Sequence, residues 1–241
     1  MFSYEDIFSK KQKILIVTAH PDDSLVFFGA LMNKLCSDGK EVYVLVVTNG
    51  ARGSRENNIS ESELALLRVK EEKAALTSLG VSESNIFCLD YLDGEVESDM
   101  KLIGEIAKYI RKFKIDIVCT HEPSQQYIPA YSKQGFFVQH RDHRKTGEAV
   151  IDAVYPFSRD RSFFTHHYLD GIEPHSVFDI LLTDENACNF ALDISEQVEI
   201  KKRAMQLHKS QFDEETIGEI ITAFTFEGKP MERFNYLKLL W

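Results

Sequence analysis

Short apolar runs rich in Val, Ile and Leu alternate along this chain with longer segments in which apolar side chains recur at helical spacing. Continuous apolar runs suit strands buried on both faces of a parallel sheet, and the longer segments suit the helices that cover it. Lys13–Ala19 reads as the first strand, Leu25–Ser37 as a helix closed by Asp38-Gly39, and Glu41–Thr48 as the second strand, a βαβ opening. Ser60–Leu79 carries Leu64, Leu67, Ala74, Ala75 and Leu79 on an approximate stripe and stops at Gly80, a natural helix end. Ile86–Leu89 and Ile115–Cys119 are predicted strands on either side of a helix over Asp99–Phe113. Arg144–Tyr155 reads as helical, Val177–Thr183 and Ala187–Asp193 as strands, and Ser195–His208 as a further helix. The alternation predicts an α/β fold: a mostly parallel central sheet with helices on both faces.

Two stretches have no clear period. Glu122–Gln139, with its prolines, glutamines and aromatics, reads as one long loop, and loops of that length are often functional. Tyr155–Pro174 gathers Phe163, Phe164, His166, His167 and Tyr168, which suits a second rim of a pocket, plain packing or an oligomer contact. With 241 residues and no Pro/Gly/Ser-rich linker, the chain is expected to form one domain over residues 1–241.

Composition narrows the function classes. The chain has 28 basic and 38 acidic residues, a net charge of −10, which disfavours nucleic acid or an anionic membrane as partner and leaves a small molecule as the better fit. The opening thirteen residues are charged, and nowhere is there an apolar run of the ~18 residues a membrane span needs, so a soluble, cytoplasmic protein is expected. Cys36, Cys88, Cys119 and Cys188 are scattered without metal or redox spacing and are expected to be buried, reduced and inert.

The candidate chemistry lies in two polar clusters. His20-Pro21-Asp22-Asp23 follows the first strand directly, and His140-Arg141-Asp142-His143 stands far downstream. Both offer ligands for a borderline divalent cation, and the first occupies the carboxyl end of a strand, where sites gather in open parallel sheets. Capping of the next helix explains one aspartate at that point, but not two directly after a histidine. The spacing of three between His140 and His143 leaves open which of them is a ligand.

These clusters and their order resemble the LmbE/PIG-L family of zinc-dependent N-deacetylases. The resemblance extends to Val46-Val47-Thr48-Asn49-Gly50, to Leu64–Arg68 with Glu71, to Leu79-Gly80-Val81, to Leu89-Asp90-Tyr91-Leu92-Asp93-Gly94 and to His208-Lys209-Ser210-Gln211. It implies a Rossmann-like three-layer sandwich and one zinc ion per chain, with Fe2+ as the alternative metal in the cell. His20, Asp23 and His143 are then the metal ligands, and three ligands leave a position open. Asp22 is the general base, His140 stabilises the oxyanion as an imidazolium donor, and Asp142 holds His140. The implied substrate is an N-acetylated sugar or sugar conjugate, hydrolysed to a free amine and acetate. A homo-oligomer is compatible with the sequence.

The chain departs from the family pattern at two places. Ser24 stands where the motif usually continues with Glu, and Val138 where some relatives have Tyr, two residues before the oxyanion histidine. These changes motivate a second reading, a weak or inactive member that binds a glycan without turnover. Arg68 has two readings: an arginine that holds the substrate, or a solvated helix residue paired with Glu71 or Glu72. Arg52 and Arg55 read as a basic loop near the pocket mouth, and His121 as a structural histidine close to the pocket. A dinucleotide-binding oxidoreductase shares the alternating pattern, but no G-x-G-x-x-G follows the first strand.

Overall fold

The sheet grows in both directions from β1 (Lys13–Thr18). In the computed structural model, which describes residues 1–54, 59–129, 135–184 and 186–240, β2 (Glu41–Thr48) and β3 (Ile86–Tyr91) lie on one side of it. On the other side come β4 (Ile117–His121), then β7 (Asp179–Thr183), β10 (Lys229–Lys238) and β8 (Phe190–Asp193). The pairs from β3 to β7 are all parallel, and β10 runs antiparallel to both β7 and β8. A short β9 (Thr225–Phe226) pairs with the start of β10.

Side chains alternate across this sheet and divide the core. On β1, Ile14 and Ile16 face α2 (Asp23–Ser37), α3 (Glu61–Ser78) and α6 (Val198–Met205), burying Leu25, Phe28, Leu76 and Met205 with them. Leu15 and Val17 face α4 (Met100–Phe113) and α5 (Arg141–Asp152), with Leu102, Ile106, Ala149 and Val150. Each large apolar side chain so buried stabilises the fold by roughly 1.5–3 kcal/mol relative to exposure. The result is the three-layer α/β arrangement that the alternation predicts.

Local chemistry sets the helix ends. Ser3 and Asp6 form a reciprocal capping box at the start of α1 (Tyr4–Phe8), as Ser60 and Glu63 do at the start of α3, and Asp99 accepts the Leu102 N–H at 2.9 Å to open α4.

Several elements go beyond the pattern read from the sequence. The long loop contains a hairpin, β5 (Tyr127–Pro129) paired with β6 (Phe136–Val138). The chain after His208 forms α7 (Glu214–Ala223) and then β10. β10 escapes pattern reading because its inward face reads Glu232, Phe234, Tyr236, with a charge where a strand should be apolar. That charge is paired: the buried Glu232 lies 2.7 Å from Lys201 Nζ and accepts the N–H groups of Ala30 and Leu31 in α2, while Lys201 donates to the Val26 carbonyl. The Ala30 N–H and Val26 carbonyl, which a regular helix would join to each other, thus have the two ions as partners.

The aromatic stretch after α5 packs in part against α4. The fully buried Arg111 of α4 donates to the carbonyls of Phe157, Ser158, Asp160 and Phe163, and Phe164 packs against Gly104. All four cysteines are unpaired as expected, but only Cys119 is fully buried and the other three are half-buried. Among the described residues, no helix is long and apolar enough to cross a membrane.

Candidate metal centre

The carboxyl ends of the parallel strands converge on one edge of the sheet, and each delivers part of the site. The turn after β1 brings His20, Asp22 and Asp23, the segments after β2 and β3 bring Gly50 and Asp93, and β4 ends on His121. The first turn of α5 brings His140, Asp142 and His143 across to meet them.

Asp23 is the centre of this cluster. Its Oδ2 lies 3.2 Å from His20 Nδ1 and 3.5 Å from His121 Nε2, and its Oδ1 lies 3.1 Å from His143 Nε2. Burial acts to raise its pKa, but the facing His143 and His20 outweigh that and hold the carboxyl well below its usual range. His20 responds in the opposite sense: burial disfavours its charge, yet the carboxylates of Asp23, Asp142 and Asp93 push it up to about 12. Ligand atoms of His20, His140 and His143 lie within 4.8 Å of one another, as do those of Asp23, His121 and His143. Imidazoles and a carboxylate gathered this closely are a donor set that fits a borderline divalent cation such as zinc.

The approach of α5 depends on one glycine. A Cβ on Gly147 would stand 2.3 Å from the His121 carbonyl oxygen, so only glycine lets the helix come down on the end of β4. His143, one turn earlier, thereby stacks on His121 with ring centroids 4.1 Å apart, and Phe27 of α2 packs edge-on against both rings.

His140 is the N-cap of α5, and its Nδ1 accepts the Asp142 N–H at 3.2 Å. Burial, with His20 and His143 nearby, lowers its pKa. Both the lowered pKa and the N–H accepted at Nδ1 favour a neutral ring with its proton on Nε2 over the imidazolium expected from the sequence. The ring opens onto a cavity of about 400 Å3 whose floor also includes His121 and His143. Val26, Phe27, Ile128, Phe137, Val138 and Phe224 form apolar walls, and Glu122, Gln125, Gln139, Thr183 and Arg233 add polar groups. The departure at Val138 is thus part of a wall.

Asp22 adopts φ 106° and ψ −31°, the left-handed side of the map. Its carboxyl is pushed up by burial, partly offset by Arg68, whose guanidinium meets Oδ2 at 3.0 Å; among the described residues Oδ1 has no hydrogen-bond partner.

A family model described as PIG-L, GlcNAc-PI de-N-acetylase, matches residues 15–154, more than half of the 241 residues. The chain belongs to the PIG-L family. Over 214 residues it is 33% identical to a diacetylchitobiose deacetylase of Thermococcus kodakarensis, covering 89% of this chain and 75% of that protein. The structure of N,N'-diacetylchitobiose deacetylase from Pyrococcus horikoshii, complexed with its inhibitor MPG, superposes with a TM-score of 0.87 at 29% identity, covering 98% and 88% of the two chains. The fold alone is shared with GalB, the 4-carboxy-2-hydroxymuconate hydratase of Pseudomonas putida, at a TM-score of 0.70, 17% identity and coverage of 95% and 97%.

Against the PIG-L pattern, two side chains stand differently from expectation. The Asp142 carboxylate does not hold His140: it lies 3.3 Å from His20 Nε2 and accepts the N–H groups of Gly94 at 2.6 Å and Val96 at 3.3 Å. The cap geometry turns its backbone, not its carboxylate, to His140. Arg68 is neither solvated nor presented to the cavity. It is 3% exposed, donates to the carbonyls of Gly50 and Pro21 as well as to Asp22, and is packed so closely that a Cβ on Gly50 would lie 2.6 Å from its guanidinium.

Other groups enter the site without a role read from the sequence. Asp93 Oδ1 lies 3.3 Å from His20 Nε2, and His208 Nε2 lies 2.8 Å from Glu72 Oε2. Both belong to segments that carry the family resemblance, and that was their available signal. Arg52 is engaged by Asp93, Glu61 and Glu95, while Arg55 lies outside the described residues. His167 and His175 bond to Arg111 and to the Ile115 carbonyl, and do not join the cluster.

Proposed function

We propose that the protein is a metal-dependent N-deacetylase that hydrolyses the N-acetyl group of an amino sugar or sugar conjugate, releasing a free amine and acetate. The observation that carries this reading is Asp23 lodged between His20 and His143 beside the cavity-facing His140. His20, Asp23 and His143 are the residues that would hold the metal, and zinc bound there supplies Lewis acidity toward the amide carbonyl and the attacking water. Asp142 and Asp93 fix the His20 ring from behind, as outer carboxylates do for ligating imidazoles.

Asp22 takes the proton from the water through its untied Oδ1 and returns it to the departing amine. Its raised pKa makes it a stronger base than an ordinary aspartate while leaving it ionised at neutral pH. His140, kept neutral with Nε2–H free, donates toward the charge that develops on the carbonyl oxygen. Bond cleavage thus needs one carboxylate and one neutral imidazole beside the ligand cluster. The walls of Phe27, Phe137 and Phe224 offer apolar surface for the faces of sugar rings, and the polar groups between them offer partners for hydroxyls.

The test is amine release from a panel of N-acetylated mono- and disaccharides by protein as purified, after chelation, and after zinc is restored. Turnover that chelation abolishes and zinc restores is expected, with about one equivalent of metal per chain by elemental analysis. Full activity in metal-free protein, or no amine from any acetamido sugar, would remove the reading.

A further inference from the structure

A residue other than glycine at φ 106° costs of order 1–3 kcal/mol and persists only where its surroundings enforce it. At Asp22 the enforcement comes from α3. Arg68 and Glu72, four residues apart, lie on the same face of that helix and reach the turn together. Arg68 takes the Pro21 carbonyl and Asp22 Oδ2, and Glu72 Oε2 accepts the Asp22 N–H at 3.1 Å. Glu72 is 3% exposed, so its charge needs partners, and it has two more. The Ser24 hydroxyl donates to Oε1, and His208 Nε2 lies 2.8 Å from Oε2.

The identity of residue 24 gives this network its meaning. In the family pattern that the chain resembles, the motif usually continues with Glu after the paired aspartates, whereas this chain has the shorter Ser24, itself fully buried. Its hydroxyl does not leave the position without a carboxylate; it points to one that arrives from another element. We propose that Glu72 supplies from α3 the carboxylate that the motif lacks at position 24, and acts as the positioning residue that holds Asp22 in its left-handed conformation. Ser24 and His208 hold Glu72 in turn. The functional half of this inference rests on Asp22 being the base, and it explains how a chain with Ser24 retains an active arrangement.

The experiment exchanges the two side chains. Glu72→Ser should keep full metal content and a nearly unchanged KM while kcat falls by about 100-fold, the scale of loss from a displaced catalytic group. Ser24→Glu alone should also lose kcat and melting temperature, because it brings two carboxylates into one buried space. The exchanged protein, Ser24→Glu with Glu72→Ser, should recover both to within about tenfold in kcat of the parent. Glu72→Gln, which keeps the shape, covers the case in which Glu72→Ser fails to fold and should show the same kcat loss at full metal content. Undiminished kcat in Glu72→Ser or Glu72→Gln, or an exchanged protein that recovers neither kcat nor melting temperature, overturns the proposal. Should the parent release no amine, the deacetylase reading falls, while the melting temperatures of the exchange still decide whether Glu72 holds the turn.

Discussion

Asp22 and Asp23 are adjacent in sequence, yet their surroundings shift their carboxyls in opposite directions. Asp23 is gripped by His20 and His143 and held well below the usual carboxylate range, which suits a ligand; Asp22 is pushed upward and held by Arg68, which suits a base. Asn is the informative replacement for both, because it tolerates the left-handed backbone of Asp22 where Ala would add strain. Asp23→Asn should lose the metal. Asp22→Asn should keep it and lose about 100-fold or more in kcat, as removal of a general base does. Elemental analysis beside single-turnover rates checks both, and equal metal loss in the two variants would refute the division. At this scale the sequence was legible where function needs a short motif, and so it led to His20, Asp23, His140 and His143. It was not legible where a side chain's direction decides: Asp142 turns to His20, and Arg68 turns inward, for reasons that appear only once three loops meet.

The elements repeat the point with α3. Its sequence suggests an apolar stripe through Leu67, but Leu67 is 38% exposed while Arg68, Glu71 and Glu72 are buried. Between the buried Leu64 and Ala75 the inner face of this helix turns polar, because it meets the motif turn and the segment around His208 and Ser210, where Glu71 accepts the Ser210 hydroxyl and N–H. Periodicity locates the helix through Leu64, Ala75 and Leu79, but it does not read the charged stretch between them. α5 shows the reverse: its period was readable, but its start at Arg141 was not, since His140 caps it with a ring nitrogen. The docking of α5 through Gly147 gives a test at this scale. Gly147→Ala must push the helix away from the His121 carbonyl, and overpacking of this kind costs roughly 1–3 kcal/mol. Because His143 rides on the same helix, the variant should lose zinc affinity as well as melting temperature. Loss of stability with unchanged zinc affinity would show that α5 does not set the ligand geometry. Lys201 and Glu232 offer a companion test. Glu232→Gln leaves a fully buried ammonium without its counter-charge, and denaturant unfolding should register a loss of about 3–5 kcal/mol.

Across the whole molecule, the parallel half of the sheet and its carboxyl edge were readable from the alternation of strands and helices, and the site lies on that edge. At the antiparallel margin β8 was readable as a strand, but β10 was not, because it hides its strand pattern behind the buried Glu232. The face of the sheet that carries α4 and α5 holds a titratable group away from the metal ligands. His167 is 2% exposed, its Nδ1 lies 3.2 Å from Arg111, and it faces His166, Lys108 and Asp170. Burial, then the charge on Arg111, lowers its pKa from 6.5 to about 4, so the folded protein keeps this ring neutral where the unfolded chain protonates it. Between about pH 6.5 and 4 the unfolded state therefore binds the extra proton, and stability falls as the pH falls through that window. One such proton changes the unfolding free energy by at most about 1.4 kcal/mol per pH unit. His167→Gln cannot take up that proton in either state. Urea unfolding of the parent and of His167→Gln, measured from pH 7 down to 4.5, should give curves whose difference shrinks toward acid, because only the parent carries this loss. The acid release of metal is common to both proteins and cancels in the difference. A constant gap across the range would mean that His167 titrates alike in both states, and that the Arg111 contact does not shape the acid stability of this fold.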